Sequence, residues 1–301
     1  WLLSQSGADI THVVRKGSLA KYSGVVKMNV LDMRGDSPKN YLASYLPKVV
    51  DEAGLNHGYE LVVVATNHLQ SAGAVKQYGH LAEKADFLLF TANWEGTGEI
   101  DALIPHSRYL WGFSVSSGTR AADGILYANI QRQYCIGELD GLHTPRLDNI
   151  TEMFGKAGLI ADVKPDIIRW QWVHHSINAG IIGTALYMGG LPEQGADMGV
   201  WLLMVRAVKD ALAVLEKRGV DIGSYADTKP FLISDEEEAA IRVRLMMLGL
   251  PHYERTRKHS HFNTSPAEMK RFYLDVLETG ERLGVPMPYL GSLKTTICGS
   301  G

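Results

Sequence analysis

Two short runs, LVVVAT at 61–66 and FLLFT at 87–91, limit this chain more than any other feature. Each is continuously apolar and rich in residues that favour an extended backbone. Such runs read as strands buried on both faces, as in a parallel sheet covered by helices. The stretch between them, Ala72 to Lys84, has helical spacing, so the order is strand, helix, strand. Further strands are expected at Ile10–Arg15, Val25–Leu31, Tyr109–Ser116, Gly124–Asn129 and Tyr134–Ile136, with turns at Gly118 and Asp123-Gly124. Pro47 to Ala53 reads as a short helix with proline in its first turn.

After Pro165 the alternation stops and helical periodicity runs almost to the end. Met198–Arg218 keeps apolar residues at helical spacing and stops at Gly219. Its apolar surface, Trp201–Leu215, fits either packing inside a helical domain or a contact between two copies. Ser234-Asp235-Glu236-Glu237 reads as an N-cap and an acidic first turn. Ser265-Pro266-Ala267-Glu268 reads as a cap, a first-turn proline and a reciprocal glutamate. The expected architecture is a Rossmann-like α/β domain over 1–164 followed by an all-α domain over 165–301. The chain opens on Trp1-Leu2-Leu3, which reads as the middle of a helix, so an upstream segment is expected in the native protein.

A net charge of −3, with no long basic run, argues against a nucleic-acid partner. No apolar run has the length of a membrane span. Two distant cysteines, Cys135 and Cys298, argue against a disulfide framework, and a reducing, cytoplasmic setting is expected. His252, His259, His261 and nearby Glu254 lack the spacing of a metal site.

Four places carry candidate chemistry. Arg15-Lys16-Gly17 ends a strand where dinucleotide folds meet the adenosine ribose. A basic pair there either grips a 2′-phosphate or is a solvated strand end. The segment TANWEGTGE, 91–99, follows a buried strand. Its Asn93 fits a ribose or carboxamide, or simply an Asn-Gly turn. In RWQWVHHSINAG, 169–180, Trp170, His174 and Asn178 share one helical stripe, and Trp172, Ser176 and Gly180 another. That helix is either a packed spine or a pocket wall, and His174 and His175 cannot both face one pocket. Glu268, in a helix's first turn, is either a capping residue or a ligand-binding carboxylate.

Five segments in this order resemble the ketopantoate reductase (2-dehydropantoate 2-reductase) family: WLLSQSGADITHVVRKG, FTANWEGTGEID, IGELDG, DIIRWQWVHHSIN and PAEMKRFYLDVLETGERLGVPMP. The resemblance spans nearly the whole chain. It implies an NADPH-dependent oxidoreductase acting on a 2-oxo acid, 2-hydroxy acid or related carbonyl, bound in an interdomain cleft, and a homodimer is compatible with it. The family's first strand and GxGxxG loop are not in this sequence. About 15 residues, one strand plus the loop, are expected upstream in the native protein. By resemblance, Arg15, with Lys16 beside it, meets the 2′-phosphate. Thr66, Asn67 and Asn93 lie along the cofactor, Glu268 engages the substrate hydroxyl, and Thr256 helps hold the substrate carboxylate, with Ser176 at a substrate-side position. Asn178 joins them as a substrate-binding candidate from its spacing to His174, a pair able to bind a carboxylate or relay a proton.

The departures bear on catalysis. The family's general-acid lysine is Trp172 here, its following asparagine is Ser176, and a second lysine is Asn67. General acid help is worth about 10²–10⁴-fold, so a substitute is expected in His174, His175 or His68. Two other readings stand beside the reductase. One is a non-catalytic NADP(H) sensor. The other is an opine-type dehydrogenase, for which Trp94, Trp170 and Trp172 suit a larger apolar substrate.

Overall fold

A computed structural model describes residues 1–52, 58–259 and 265–299. The chain divides into two units, Trp1–Ile168 and Arg169–Gly301.

Among the described residues, unit 1 is built on three sheets. β1 (Thr11–Val13) pairs in parallel with β4 (Lys48–Val50). A four-stranded sheet has the order β3-β2-β9-β8, from β2 (Val26–Asp32), β3 (Lys39–Tyr45), β8 (Ser117–Arg120) and β9 (Leu126–Ile130). A five-stranded sheet has the order β11-β10-β7-β6-β5, from β5 (Leu61–Val64), β6 (Asp86–Phe90), β7 (Tyr109–Phe113), β10 (Gln133–Gly137) and β11 (Ile160–Val163). β5, β6 and β7 run parallel, as their apolar runs imply. β10 turns antiparallel to β7, and β11 pairs in parallel with β10. Among the described residues, the unit's α-helices are α1 (Leu2–Gln5), α2 (Leu19–Tyr22), α3 (Ser71–Tyr78), α4 (Gly98–Asp101) and α5 (Pro145–Lys156).

The main core forms where Leu88, Leu110, Tyr134 and Ile136 of the large sheet meet Leu147, Ile150 and Phe154 of α5. α5 starts well. The Thr144 hydroxyl accepts from the Leu147 N–H, Pro145 occupies the first turn, and Asp148 faces the positive end of the dipole. The IGELDG segment just before it buries a charge. Glu138 is 2% exposed and Arg146 reaches back to it, with Nε 2.7 Å from Oε1. Arg146 also donates to the carbonyl oxygens of Tyr109 (3.0 Å) and Ser107, and the Thr144 hydroxyl donates to Glu138. This cluster ties the end of β10 and the start of α5 to the residues leading into β7.

Several sequence expectations are corrected here. Pro47–Ala53 is not a helix over its described part, since Lys48–Val50 is a strand held by pairing with β1. Gly118 lies inside β8 rather than in a turn. β5 pairs with β6 among the described residues and is not buried on both faces, since Val63 is 38% exposed.

Unit 2 holds all but the first two residues of α6 (Ile167–Met188), then α7 (Met198–Lys217), α8 (Glu236–Leu248), α9 (Tyr253–Lys258), α10 (Pro266–Leu283), α11 (Pro288–Ser292) and α12 (Lys294–Cys298). α7 is its spine. Trp201, Met204, Val205, Val208, Leu212 and Leu215 are at most 1% exposed, so its apolar surface packs inside the unit. Gly219, with φ +82°, follows its C-cap in the left-handed region, where glycine carries no Cβ penalty. The cap of α8 is Asp235 rather than Ser234: its carboxylate accepts from the N–H groups of Glu237 and Glu238. Ser265 occupies the N-cap of α10 but makes no side-chain capping bond, so the expected reciprocal cap does not form. The Asp210 carboxylate of α7 accepts from the N–H groups of Tyr289 (2.7 Å) and Leu290 (2.8 Å), anchoring α11.

α6 meets α7 at Gly180. A Cβ there would lie 2.5 Å from both the Val208 nitrogen and Cγ2. The obstacle includes backbone, so it cannot rotate away. Gly180→Ala is expected to cost about 1–3 kcal/mol by forcing the helices apart. A chemical denaturation midpoint equal to that of the parent chain would contradict this close packing.

Candidate active site

In unit 1 the candidate residues follow the C-terminal ends of parallel strands, where ligands gather in open α/β sheets. Arg15 and Lys16 follow β1 and are exposed. The next residue, Gly17, donates its N–H to Asp51 Oδ2 (3.1 Å), which ties the ends of β1 and β4 together. The basic pair is thereby presented on a braced turn. Thr66 and Asn67 follow β5. Thr66 Oγ1 and Asn67 Oδ1 are buried and have no hydrogen-bond partner. Buried polar atoms are seldom left so, since each costs about 1–3 kcal/mol unless something pairs with it. Their loop is closed from behind by Gln70 N–H to the Asn67 carbonyl and by the Ser71 hydroxyl to the His68 carbonyl. His68 is half-buried on the same turn.

Asn93 follows β6 and is 5% exposed. Its Nδ2 donates to the Gly96 carbonyl (2.8 Å), and its Oδ1 accepts from the Gly96 N–H (2.9 Å). Both ends of the amide thus hold their own turn, which is the Asn-Gly turn of the two sequence readings. Trp94 is 3% exposed, and Trp111 Nε1 donates to the Thr91 carbonyl, fixing the loop's root.

In unit 2 the first turns of α6 carry two differently engaged stripes. On one, Trp170 and His174 stack, with centroids 5.2 Å apart and planes 18° from parallel. Trp170 Nε1 donates to Asp227 Oδ2 (3.1 Å). Burial pushes the His174 imidazolium down to about 4, against a smaller opposing pull from Asp227, so the ring is neutral at neutral pH. Asn178, one turn on, is half-buried. On the other stripe the Arg218 guanidinium lies 3.8 Å from the centre of the Trp172 ring, a cation–π stack.

His175 and Ser176 point inward. His175 is 1% exposed, stacks on Phe272 (4.4 Å) and sets Nε2 3.3 Å from Asp275 Oδ2, while Arg271 holds the other Asp275 oxygen. Ser176 is fully buried and its hydroxyl lacks a partner. Thr256 is half-buried on α9, with Oγ1 buried and unpartnered. Glu268 is half-buried in the first turn of α10.

The helical unit therefore brings together Trp170, His174 and Asp227, and separately His175, Asp275 and Arg271. Asp227, Arg218 and Asp51 had no sequence signal, because each comes from a distant segment. Asp275 had one: it lies four residues after Arg271 and seven after Glu268, on one face of α10. Among the described residues no group of His, Cys, Asp and Glu could hold a metal, and no helix is long and apolar enough to cross a membrane. His261 lies outside the described residues.

No protein-family model matches the chain, and no curated protein matches it in sequence. Solved structures do match in shape. A 2-dehydropantoate 2-reductase from Geobacter metallireducens superposes with a TM-score of 0.70 at 18% identity, covering 100% of this chain and 94% of that one. D-mandelate dehydrogenase, solved with NADH and anilino(oxo)acetate, gives 0.71 at 11% identity, covering 99% and 92%. A dimeric ketopantoate reductase from Staphylococcus aureus gives 0.57 at 11%, covering 92% and 88%. The chain has the ketopantoate reductase fold. In the helical unit the Trp172 indole carries the Arg218 guanidinium on its face.

Proposed function

We propose that the protein is a reductase that uses NADPH on a 2-oxo acid or related carbonyl compound in the cytoplasm. The observation that carries the reading is the pair of buried, unpartnered oxygens, Thr66 Oγ1 and Asn67 Oδ1, at the end of β5. They fit the polar face of a bound dinucleotide, and the exposed Arg15-Lys16 pair fits its 2′-phosphate. When bound, the dinucleotide supplies the hydride. The rest of the work falls to this chain.

His174 is the residue assigned to the carbonyl oxygen. With the imidazolium held near 4, it serves as a neutral N–H donor that polarises the carbonyl rather than as a proton source. The hydroxyl proton of the product then comes from water. Glu268 orients the substrate hydroxyl, and the Thr256 hydroxyl and the Asn178 amide hold the carboxylate. His175 and Ser176, enclosed within unit 2, support α6 from behind. Asn93 shapes its loop through its bonds to Gly96 and presents backbone rather than side chain.

Arg15→Ala is expected to weaken NADPH binding by about 10–100-fold, the worth of a charge-assisted phosphate contact, and to leave NADH binding unchanged. Titration calorimetry with the two nucleotides reads this directly. Equal affinity for NADPH and NADH in the parent chain would remove the 2′-phosphate assignment. Turnover is tested by NADPH oxidation against a panel of 2-oxo acids. The spent amide of Asn93 and the covered Trp172 favour one second reading, an NADP(H) sensor without turnover. NADPH binding with no oxidation across the panel would select it.

A further inference from the structure

Unit 1 holds a cavity of about 570 Å³ where the β2–β3 hairpin meets the end of α5 and the start of β11. None of the residues assigned above to the dinucleotide or the substrate lines it. Its charged lining comes from Arg34 and Lys39 of the hairpin and from Arg132, in the turn between β9 and β10. Leu159 and Ile160 supply an apolar wall, with Ile160 44% exposed. Asp32 is the one carboxylate in the lining, and its charge is spent. Arg34 grips both its oxygens, Nε to Oδ1 at 2.9 Å and Nη2 to Oδ2 at 2.6 Å, and the Tyr41 hydroxyl adds a bond to Oδ2 (3.1 Å). This hold, chiefly the Arg34 side chain, brings the Asp32 carboxyl down to about 2. The remaining Arg34 nitrogen, Nη1, donates to the Ala157 carbonyl and offsets the negative end of α5. Glycine at 158 leaves room for it, since a Cβ there would lie 3.3 Å from Nη1.

Lys39 and Arg132 are left over. Both are exposed, and among the described residues no carboxylate engages either of them. Their backbones are fixed. Lys39 stands opposite Asp32 in the β2–β3 ladder, the Met33 N–H donates to the Ile130 carbonyl (2.9 Å), and the Arg132 carbonyl accepts from the Ile160 N–H (2.8 Å). Two sheets and a helix end thus hold two uncommitted cations around one cavity before a ligand arrives. We propose that this cavity binds a phosphate monoester with a small apolar body. Three cations against one carboxylate leave two positive charges, which match the charge of about −2 on a phosphate monoester at neutral pH. Arg132 brings a planar fork, Lys39 a point charge and Ser37, in the same lining, a hydroxyl donor. Three donors from separate positions suit the three terminal oxygens of a tetrahedral phosphate better than the two of a planar carboxylate. Leu159 and Ile160 give the body of the ester a surface, and the volume is that of a small-molecule site.

The test is titration calorimetry of the full chain with two probes, inorganic phosphate and phenyl phosphate. Phenyl phosphate is expected to bind with a dissociation constant at or below about 1 mM. It is expected to bind about 10-fold more tightly than inorganic phosphate, because its ring covers Leu159 and Ile160. Lys39→Ala and Arg132→Ala are each expected to weaken phenyl phosphate about 10-fold, and the double variant at least about 50-fold. Circular dichroism and the melting curve are expected to stay unchanged in all three, since both side chains are exposed and brace nothing. Arg15→Ala is expected to leave phenyl phosphate affinity as it is. Failure of phenyl phosphate to bind the parent chain overturns the proposal. Binding that survives the double variant, or that is lost in Arg15→Ala, overturns it by placing the anion elsewhere. Equal affinity for the two probes overturns the apolar half of the ligand.

Discussion

Arg146→Ala is expected to destabilise unit 1 by about 3–5 kcal/mol, the cost of stranding a buried charge. Glu138 is 2% exposed, and its carboxylate depends on Arg146 and Thr144 for compensation. Without the guanidinium, the carbonyl groups of Tyr109 and Ser107 lose a donor as well. Lysine at 146 is expected to recover only part of the loss, because a point charge cannot span both carboxylate oxygens and the carbonyls together. Urea denaturation followed by circular dichroism measures the effect. A loss below about 1 kcal/mol would mean that the cluster is not compensating a buried charge, since that is the range of exposed pairs.

The second large effect is a pH dependence. The His174 ring titrates near 4 in the folded protein because burial disfavours its charged form, whereas the unfolded chain titrates near the ordinary 6.5. The unfolded state therefore binds more protons between these values, and stability rises with pH across that window. The contribution is complete above about 6.5 and is lost as pH falls toward 4. It amounts to at most about 3 kcal/mol. His12 and His252 shift in the same direction, each chiefly through burial, so the parent curve contains their share too. The difference between the parent and His174→Gln isolates the one ring. The variant is expected to lose less stability between pH 6.5 and 4. Parallel melting curves for the two proteins over that range would show that the ring is free to charge in the folded state, and the neutral-donor role would go with it.

Where local pattern and tertiary structure agree, the fold was legible from residues alone. The apolar runs at β5 and β6, the stop of α7 before Gly219 and the acidic start of α8 are of this kind. β3, reading KNYLASY, was not foreseen: it is largely polar and is held as a strand by antiparallel pairing with β2. Pro47 misled for a similar reason. It precedes three residues whose extended form depends on β1, more than thirty positions away. The site was legible in composition but not in orientation. Sequence placed His174 and His175 side by side. Only packing shows that one stacks on Trp170 and the other is locked to Asp275. Asn93 was read correctly as a loop residue, yet nothing in its spacing tells that Gly96 takes both ends of its amide.

The hold of Asp210 on α11 bears on how unit 2 opens. One carboxylate oxygen takes the N–H groups of both Tyr289 and Leu290, so the start of that short helix is tied to α7 through a single side chain. Losing that grip would loosen α11 and α12 while α7 stays packed, so local opening of the helical unit would begin there.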